Sequence, residues 1–223
     1  DARQGRGAYR FRKRKHDGFQ VVRNGSVVEV DLYIYELVCR TVREWLERGM
    51  TVNPVSCNFS SLHFDSPEFP ELVAAIADRH NVPHALLELE ITESAIMRNP
   101  QIVCAQVLRL KERGFMIAID DFGSGYSSLG QLQQLMADVL KLDRSFVRRG
   151  MFGTRERIVI GNVIHMAGEL GMQVICEGVE NAKQAEMLIE LGCYYAQGFY
   201  YAKPMPRDVF EGLLEKGKVL QDE

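Results

Sequence analysis

The sequence predicts an α/β fold in which parallel strands close into a (β/α)8 barrel of the TIM type. Six short apolar runs alternate with helical patterns from about residue 30 onward, which is typical of consecutive βα units. A polar side chain lies at or near the end of each run, and a closed barrel brings all its strand ends together around one cavity. No glycine-rich phosphate-binding turn follows the first run, which argues against an open dinucleotide-binding sheet.

The N-terminal end of this barrel is predicted to be irregular or incomplete. A full barrel takes about 250 residues, whereas this chain has 223 residues and only six strand-like runs are visible in it. One or two strands should therefore come from the first 30 residues, or be missing.

The predicted elements follow one another regularly along the chain. A first helix is predicted over residues 31–48, because Ile34, Val38 and Trp45 fall on one helical face. Strands are predicted from the apolar runs at 52–60, 86–92, 115–122, 138–143, 172–179 and 195–201. Further helices are predicted near 68–80, 101–113, 127–136, 155–170, 182–191 and 207–216. Gly114 and Gly171 follow two of these helices and are predicted to cap them.

Composition excludes several classes of protein. Hydrophobic residues make up 46% and charged residues 26% of the chain, which are ordinary globular values and exclude disorder, collagen and a coiled coil for the whole chain. No apolar run approaches the roughly 20 residues that span a bilayer. The five cysteines show no CxxC spacing, which suits a reducing compartment, and we expect a cytoplasmic domain.

The charge is distributed unevenly along the chain. Residues 1–16 hold seven of the 27 basic residues and one of the 30 acidic ones, so the rest of the chain is acidic. An acidic body argues against binding to a nucleic-acid polymer. The basic run is either a phosphate contact or a solvated terminal segment.

The polar groups at the predicted strand ends form a candidate metal site. Four carboxylates in one pocket cannot all be ionised without a compensating cation, and carboxylate and amide oxygens suit Mg²⁺ or Mn²⁺. An adjacent carboxylate pair can bridge two ions, and such two-metal sites hydrolyse phosphodiesters. A lysine would add a fixed positive charge near the water or the phosphate. The strand-end groups are Asn58, Glu90, Asp120, Asp121, Lys141, Glu177 and Gln197.

The alternative interpretation is structural. A single strand-end carboxylate is more often a helix N-cap or an ion-pair partner than a metal ligand. Asp143 and Glu93 fit that role well. Polar groups on six consecutive strands are harder to explain as caps, which favours a shared site.

Five segments of the sequence resemble the bacterial EAL domain. The resemblance runs from about Gly18 to Val209, and CNFS (57–60) is similar to the family's NxS strand. The five segments occur in the family's order, with DDFGSGYSSL and EGVE intact, so the resemblance is highly specific. They are LELEITES (87–94), IDDFGSGYSSL (119–129), DVLKLDRSFV (138–147), CEGVENAKQAEMLIELGC (176–193) and YAQGFYYAKPMP (195–206).

This resemblance implies a fold, an activity and a set of residue roles. The family fold is a modified (β/α)8 barrel whose first strand runs antiparallel to the others, and its enzymes hydrolyse cyclic di-GMP to linear pGpG with Mg²⁺ or Mn²⁺. By motif, the implied metal ligands, on two ions, are Asn58, Glu90, Asp120, Asp121 and Glu177. Lys141 and Glu177 are the implied catalytic residues, Glu93 the anchor of the DDFG loop, and Arg10, Glu180 and Gln197 the substrate-binding residues.

One departure from the family pattern concerns its signature. The Glu-Ala-Leu tripeptide does not occur in the chain; RGAYR (6–10) places Arg10 at the phosphate-contacting arginine and Arg6 at the metal-binding glutamate. An arginine cannot bind Mg²⁺, so metal affinity and rate should fall. Either the domain has a degenerate start or residues are omitted from this chain. Two functions stay open: a cyclic di-GMP phosphodiesterase, and a catalytically weak or inactive receptor for the same nucleotide.

The resemblance also implies an organisation. We expect an atypical basic segment over residues 1–17 and a barrel domain over residues 18–223. The loop and helix start at 122–135 imply a homodimer contact. Sensor or GGDEF domains are expected in a longer parent protein, which could be anchored in a membrane.

Overall fold

The strands form one six-stranded parallel sheet in which each strand pairs with the next one along the chain. The computed structural model describes residues 26–123, 129–150 and 153–216. Because the strand order never reverses, the sheet curls as in a barrel instead of opening as a doubly wound sheet. Each strand lies within its predicted apolar run. The strands are β1 (Val55–Phe59), β2 (Leu87–Thr92), β3 (Met116–Phe122), β4 (Val139–Leu142), β5 (Gln173–Glu177) and β6 (Tyr195–Gln197).

Helices alternate with these strands, which confirms the predicted α/β class. Gly114 and Gly171 adopt the left-handed backbone typical of a helix C-cap, with φ of 87° and 78°. The helices are α1 (Ser26–Glu47), α2 (Phe69–Arg79), α3 (Glu93–Arg98), α4 (Pro100–Glu112), α5 (Leu129–Gln134), α6 (Arg144–Gly150), α7 (Thr154–Glu169), α8 (Ala182–Glu190) and α9 (Arg207–Lys216).

The two faces of the strands have opposite chemistry. On β2, Leu87, Leu89 and Ile91 are buried in the hydrophobic core. Side chains alternate along a strand, so Glu88 and Glu90 point to the other face, inside the curl of the sheet. The same alternation on the other strands collects polar groups on that inner face, and the register aligns their carboxyl ends.

The N-terminal expectation is partly corrected. Residues 26–30 belong to α1, which begins at Ser26, so they are helical and not part of a strand. The predicted segment 1–17 and Arg10 lie outside the described residues. The predicted loop contact at 122–135 is described except for residues 124–128.

A polar cluster joins the first described helix to the last. Glu211 on α9 accepts hydrogen bonds from Trp45 Nε1 at 2.8 Å, Arg48 Nη1 at 2.5 Å and Arg207 Nε at 2.6 Å. The Trp45 ring also packs against Phe210, with centroids 5.9 Å apart. These contacts tie α9 to α1. Among the residues that the structure describes, no helix is both long and apolar enough to cross a membrane.

Candidate active site

Lys141 on β4 is the central cation of the inner face. Its Nζ lies 2.6 Å from Glu90 Oε1, 2.7 Å from Glu177 Oε1 and 3.7 Å from Asp120 Oδ1. Lys141, Glu90 and Asp120 are all buried. The lysine therefore links carboxylates from three other strands, which lie far apart in the sequence.

Burial and charge shift the titration of this group of side chains. Burial alone would lower the pKa of Lys141, but the negative charges and hydrogen bonds of Glu90 and Glu177 outweigh that effect and raise the pKa. Burial raises the pKa of Glu177, Lys141 acts in the opposite direction, and the charges of Asp120 and Glu90 raise it further. The carboxylates outnumber the lysine, so this site favours an additional cation.

Three carboxylates form a compact group beside the lysine. One oxygen each from Asp120, Asp121 and Glu177 lies within 4.8 Å of the others. Adjacent residues of a regular strand point to opposite faces. Here the register between β3 and β4 shifts between Ile119 and Phe122, and Asp121 takes a left-handed backbone with φ of 55°. This irregularity turns both aspartates toward the same site.

Glu93 supports the turn that follows the two aspartates. Its Oε2 accepts a hydrogen bond from the backbone N–H of Gly123 at 2.8 Å. Gly123 has φ of 84°, and a Cβ there would lie 1.9 Å from Phe146 Cε2, so the turn requires glycine. This hydrogen bond connects Glu93, the first residue of α3, to the DDFG turn. Asp143 does act as a cap, since its Oδ1 accepts the N–H of Ser145 at 3.0 Å.

A second tight loop holds Glu177 at the end of β5. Gly178 has φ of 71° and lies against Arg144. Val179 N–H donates to Gln197 O at 3.1 Å, and Val179 O accepts from Tyr200 N–H at 3.0 Å. These backbone bonds fix the EGVE loop against the segment that follows β6.

Three other predicted residues belong to the described part of the chain, on β1, on β6 and in the loop after β5. Asn58 is exposed, and its Cα pairs with that of Glu90. Gln197 is exposed and pairs with Glu177 in the sheet register. Glu180 is exposed, and its backbone N–H donates to Gln184 Oε1 at 2.6 Å.

Sequence reasoning missed a further buried carboxylate below the site. Glu88 precedes Glu90 by two residues and shares its face of β2. It is 6% exposed and accepts a hydrogen bond from Ser56 Oγ at 2.6 Å. The alternation of glutamates in LELEIT was the signal that could have found it.

The oxygen donors fit a hard divalent cation. The grouped carboxylate oxygens belong to Asp120, Asp121 and Glu177. Glu90 is linked to Glu177 because Lys141 Nζ forms ion pairs with both glutamates. Mg²⁺ and Mn²⁺ prefer such all-oxygen surroundings, whereas a soft-metal site would need cysteine or histidine.

Comparison with known proteins identifies the family. A family model described as the EAL domain matches residues 15–204. The chain belongs to the EAL domain family. This EAL domain is 33% identical over 186 residues to the bifunctional diguanylate cyclase/cyclic di-GMP phosphodiesterase MucR of Pseudomonas aeruginosa, which covers 83% of this chain and 27% of that protein. It is also 33% identical over 187 residues to the uncharacterized protein Mb1389c of Mycobacterium bovis, which covers 83% of this chain and 30% of that protein.

Solved structures agree with this assignment. The P. aeruginosa MucR phosphodiesterase in complex with c-di-GMP has a TM-score of 0.80 at 32% identity, covering 85% of this chain and 77% of that one. The EAL domain of Mycobacterium smegmatis DcpA has a TM-score of 0.81 at 34% identity, covering 89% and 88%. These matches confirm the predicted barrel-like fold. The chain spans 22–30% of the length of the first curated relatives that it matches.

Proposed function

We propose that this EAL domain hydrolyses one phosphodiester bond of cyclic di-GMP to give linear pGpG, with Mg²⁺ or Mn²⁺ as cofactor. The observation that carries the proposal is the grouping of Asp120, Asp121 and Glu177 within 4.8 Å, beside a lysine that contacts Glu177 and Glu90. The named activity and the bound nucleotide of MucR support the choice of substrate.

The proposed metal ligands are Asp120, Asp121, Glu90, Glu177 and Asn58. When bound, a divalent ion supplies a Lewis acid that lowers the pKa of water and offsets the charge of the phosphate. A two-ion site fits the adjacent aspartates, since each can offer an oxygen to a different ion.

Lys141 is the proposed positioning group for the reacting water and phosphate. Its ammonium is fixed by Glu90 and Glu177, so its third N–H can point at an incoming oxygen without rearrangement. Hydrolysis forms a bond from the water oxygen to phosphorus, and the bond from phosphorus to the leaving ribose oxygen breaks. The proton released by the water ends on that ribose oxygen.

Glu93, Gln197, Glu180 and Arg10 have supporting roles in this proposal. Glu93 holds the DDFG turn through Gly123 N–H. Gln197 and Glu180 are exposed, and we assign them to contacts with the nucleotide or with ordered water. Arg10 is assigned to a phosphate contact by motif alone.

The experiment is a turnover assay with a matched control. Wild type, Glu177→Gln and Glu169→Gln are incubated with cyclic di-GMP and Mn²⁺ or Mg²⁺, and pGpG is followed by chromatography. Glu169 is a good control because its side chain is 71% exposed at the end of α7. Turnover by wild type and the control, lost in Glu177→Gln, supports the site. Equal turnover in all three contradicts it.

The second candidate function is a receptor that binds cyclic di-GMP without cleaving it. The observation in its favour is the absence of the Glu-Ala-Leu tripeptide from the sequence, with Arg6 at the glutamate position of the motif alignment. A receptor would bind labelled nucleotide in equilibrium dialysis yet give no pGpG with Mn²⁺ or Mg²⁺. Nucleotide binding accompanied by pGpG formation would eliminate it.

We also propose that the domain is a homodimer and part of a longer protein with sensor or GGDEF domains. Exposed apolar side chains on α7, Ile158 at 58% and Val159 at 57%, support a partner surface. Light scattering of the purified domain measures its mass directly. A mass of one chain at all concentrations tested would contradict the dimer.

A further inference from the structure

Two buried cysteines meet directly behind the active site. Cys176 Sγ and Cys193 Sγ are 3.6 Å apart, and the two residues are 0% and 3% exposed. Cys176 immediately precedes Glu177 on β5. Its side chain points away from the site, to the helix-covered face of the sheet, because neighbouring strand residues alternate.

The two thiols differ in how firmly the backbone holds them. Cys176 pairs with Leu142 on one side and Ala196 on the other, so it is fixed in the middle of the sheet. Cys193 lies in the turn before β6, between Gly192 and Tyr194, both of which are exposed. Cys193 is itself buried, and its backbone N–H donates to Leu188 O at 2.9 Å. It lies outside the strand ladder that holds Cys176 on both sides.

The separation of the sulfur atoms is short enough for a covalent bond. A disulfide has an S–S distance of about 2.05 Å, so the sulfurs must approach by roughly 1.5 Å. Disulfide formation needs this movement at Cys193, which lies in a turn, because Cys176 is paired on both sides in the sheet. Formation of the disulfide would pull the residues just before β6 toward β5, the strand that ends in Glu177.

We propose that Cys176 and Cys193 form a peroxide-sensitive pair whose disulfide weakens divalent-ion binding at Glu177. Hydrogen peroxide first oxidises the Cys193 thiol to a sulfenic acid and is reduced to water. The Cys176 sulfur then attacks the sulfenic sulfur; the S–S bond forms, the S–O bond breaks, and the hydroxyl leaves as a second water with the Cys176 proton. A thiol reductant returns both cysteines by exchange.

The effect on the ion rests on the proposed function, whereas formation of the disulfide does not. Glu177 follows Cys176 directly, and Gln197 pairs with Glu177 across β5 and β6. Strain at Cys176 therefore reaches both residues through one peptide bond or one ladder step. Altered support behind a metal ligand typically lowers affinity by about 10- to 100-fold, and we expect a loss of about tenfold in Mn²⁺ affinity.

The experiment treats the whole chain with hydrogen peroxide and maps the tryptic peptides by mass spectrometry. The expected product is a Cys176–Cys193 cross-linked peptide, lighter by two hydrogen atoms than the two free peptides and split by dithiothreitol. Cys104→Ser is the matched control, because Cys104 is a partly exposed thiol elsewhere in the fold. This variant should form the Cys176–Cys193 cross-link to the same extent as wild type. A Cys193 peptide that stays reduced, or carries a sulfinic acid in place of the cross-link, overturns the proposal.

Calorimetric titration with Mn²⁺ then measures the consequence. Oxidised wild type should bind Mn²⁺ about tenfold more weakly than reduced protein, while Cys193→Ser should bind equally well with and without peroxide. Equal affinity of cross-linked and reduced wild type overturns the coupling to Glu177. Because neither readout needs turnover, a failure of the phosphodiesterase proposal appears separately, as the absence of pGpG from the reduced protein.

Discussion

Replacing Glu93 by alanine should release the turn that carries Asp121. The Glu93 carboxylate is buried and accepts the Gly123 N–H at 2.8 Å, and a hydrogen bond to a charged group contributes about 1.5–3 kcal/mol. Asp121 takes a φ of 55°, and left-handed backbone at a residue other than glycine costs roughly 1–2 kcal/mol. The hydrogen-bond energy and the backbone strain are similar in size. Without Glu93, the strain at Asp121 is therefore no longer offset by the hydrogen bond to Gly123.

The expected result is a weaker affinity for Mn²⁺ in a domain that is still folded. A free-energy change of about 1.5–3 kcal/mol corresponds to a roughly 10- to 150-fold weaker affinity for Mn²⁺. Glu93→Gln keeps an oxygen that can accept the Gly123 N–H, so it should fall between wild type and Glu93→Ala.

Calorimetric Mn²⁺ titration of the two Glu93 variants, with Glu169→Ala as control, checks this expectation. Thermal unfolding of each variant verifies that the domain is folded at the titration temperature. An Mn²⁺ affinity for Glu93→Ala within twofold of wild type would contradict this role of Glu93, because the turn would then hold Asp121 without the glutamate.

Four other substitutions have expected outcomes. Lys141→Met removes the buried ammonium that bridges Glu90 and Glu177. The loss of this counter-charge should destabilise the metal-free protein by about 3–5 kcal/mol in urea unfolding. Added Mn²⁺ should restore part of that stability. Gly198→Ala would place a Cβ 2.1 Å from the carbonyl oxygen of Val179, and this backbone clash should lower the free energy of unfolding by about 1–3 kcal/mol in urea titration. Gly212 on α9 has open space around it. Gly212→Ala should therefore raise the free energy of unfolding by about 0.5–1 kcal/mol. Hydrogen bonds from Arg48, Trp45 and Arg207 hold the pKa of Glu211 at about 2, below its ordinary 4.5. Since the folded-state pKa is the lower one, the stabilising contribution is complete above about pH 4.5 and is lost as the pH falls toward 2; Glu211→Gln should lower Tm at pH 6, and a difference that persists unchanged at pH 2 would contradict this.

The fold was largely predictable because its main signals are periodic. Apolar runs of strand length alternate with helical patterns, and every described strand falls inside a predicted run. The strand ends were less predictable, because local backbone geometry decides them. The predicted strand 172–179 stops at Glu177, where Gly178 turns with φ of 71°. The predicted strand 195–201 stops at Gln197, because Gly198 packs against Val179.

Two short α-helices in the described part of the chain were not predicted. Glu93–Arg98 and Arg144–Gly150 each begin within two residues of a strand end and are too short to show a periodic pattern. The second had a detectable signal, because Asp143 caps Ser145 N–H. The first had none that distinguished it from the loop of the preceding βα unit.

The composition of the site was predictable, but its contacts were not. Polar residues at consecutive strand ends indicated a shared site, and Asp120, Asp121 and Glu177 lie together in the structure. The ion pairs of Lys141 join residues tens of positions apart, and no local pattern specifies such distances. The left-handed backbone of Asp121 likewise depends on the register shift between β3 and β4.

Hydrolysis of cyclic di-GMP in ¹⁸O-labelled water tests the proposed phosphodiesterase activity most directly. The domain is incubated with the nucleotide and Mn²⁺, and the products are analysed by mass spectrometry. The expected product is pGpG that carries one ¹⁸O atom on its terminal phosphate, formed with Mn²⁺ or Mg²⁺ and abolished by EDTA. Intact cyclic di-GMP after prolonged incubation with either ion would contradict the phosphodiesterase, as would pGpG formation that persists in EDTA.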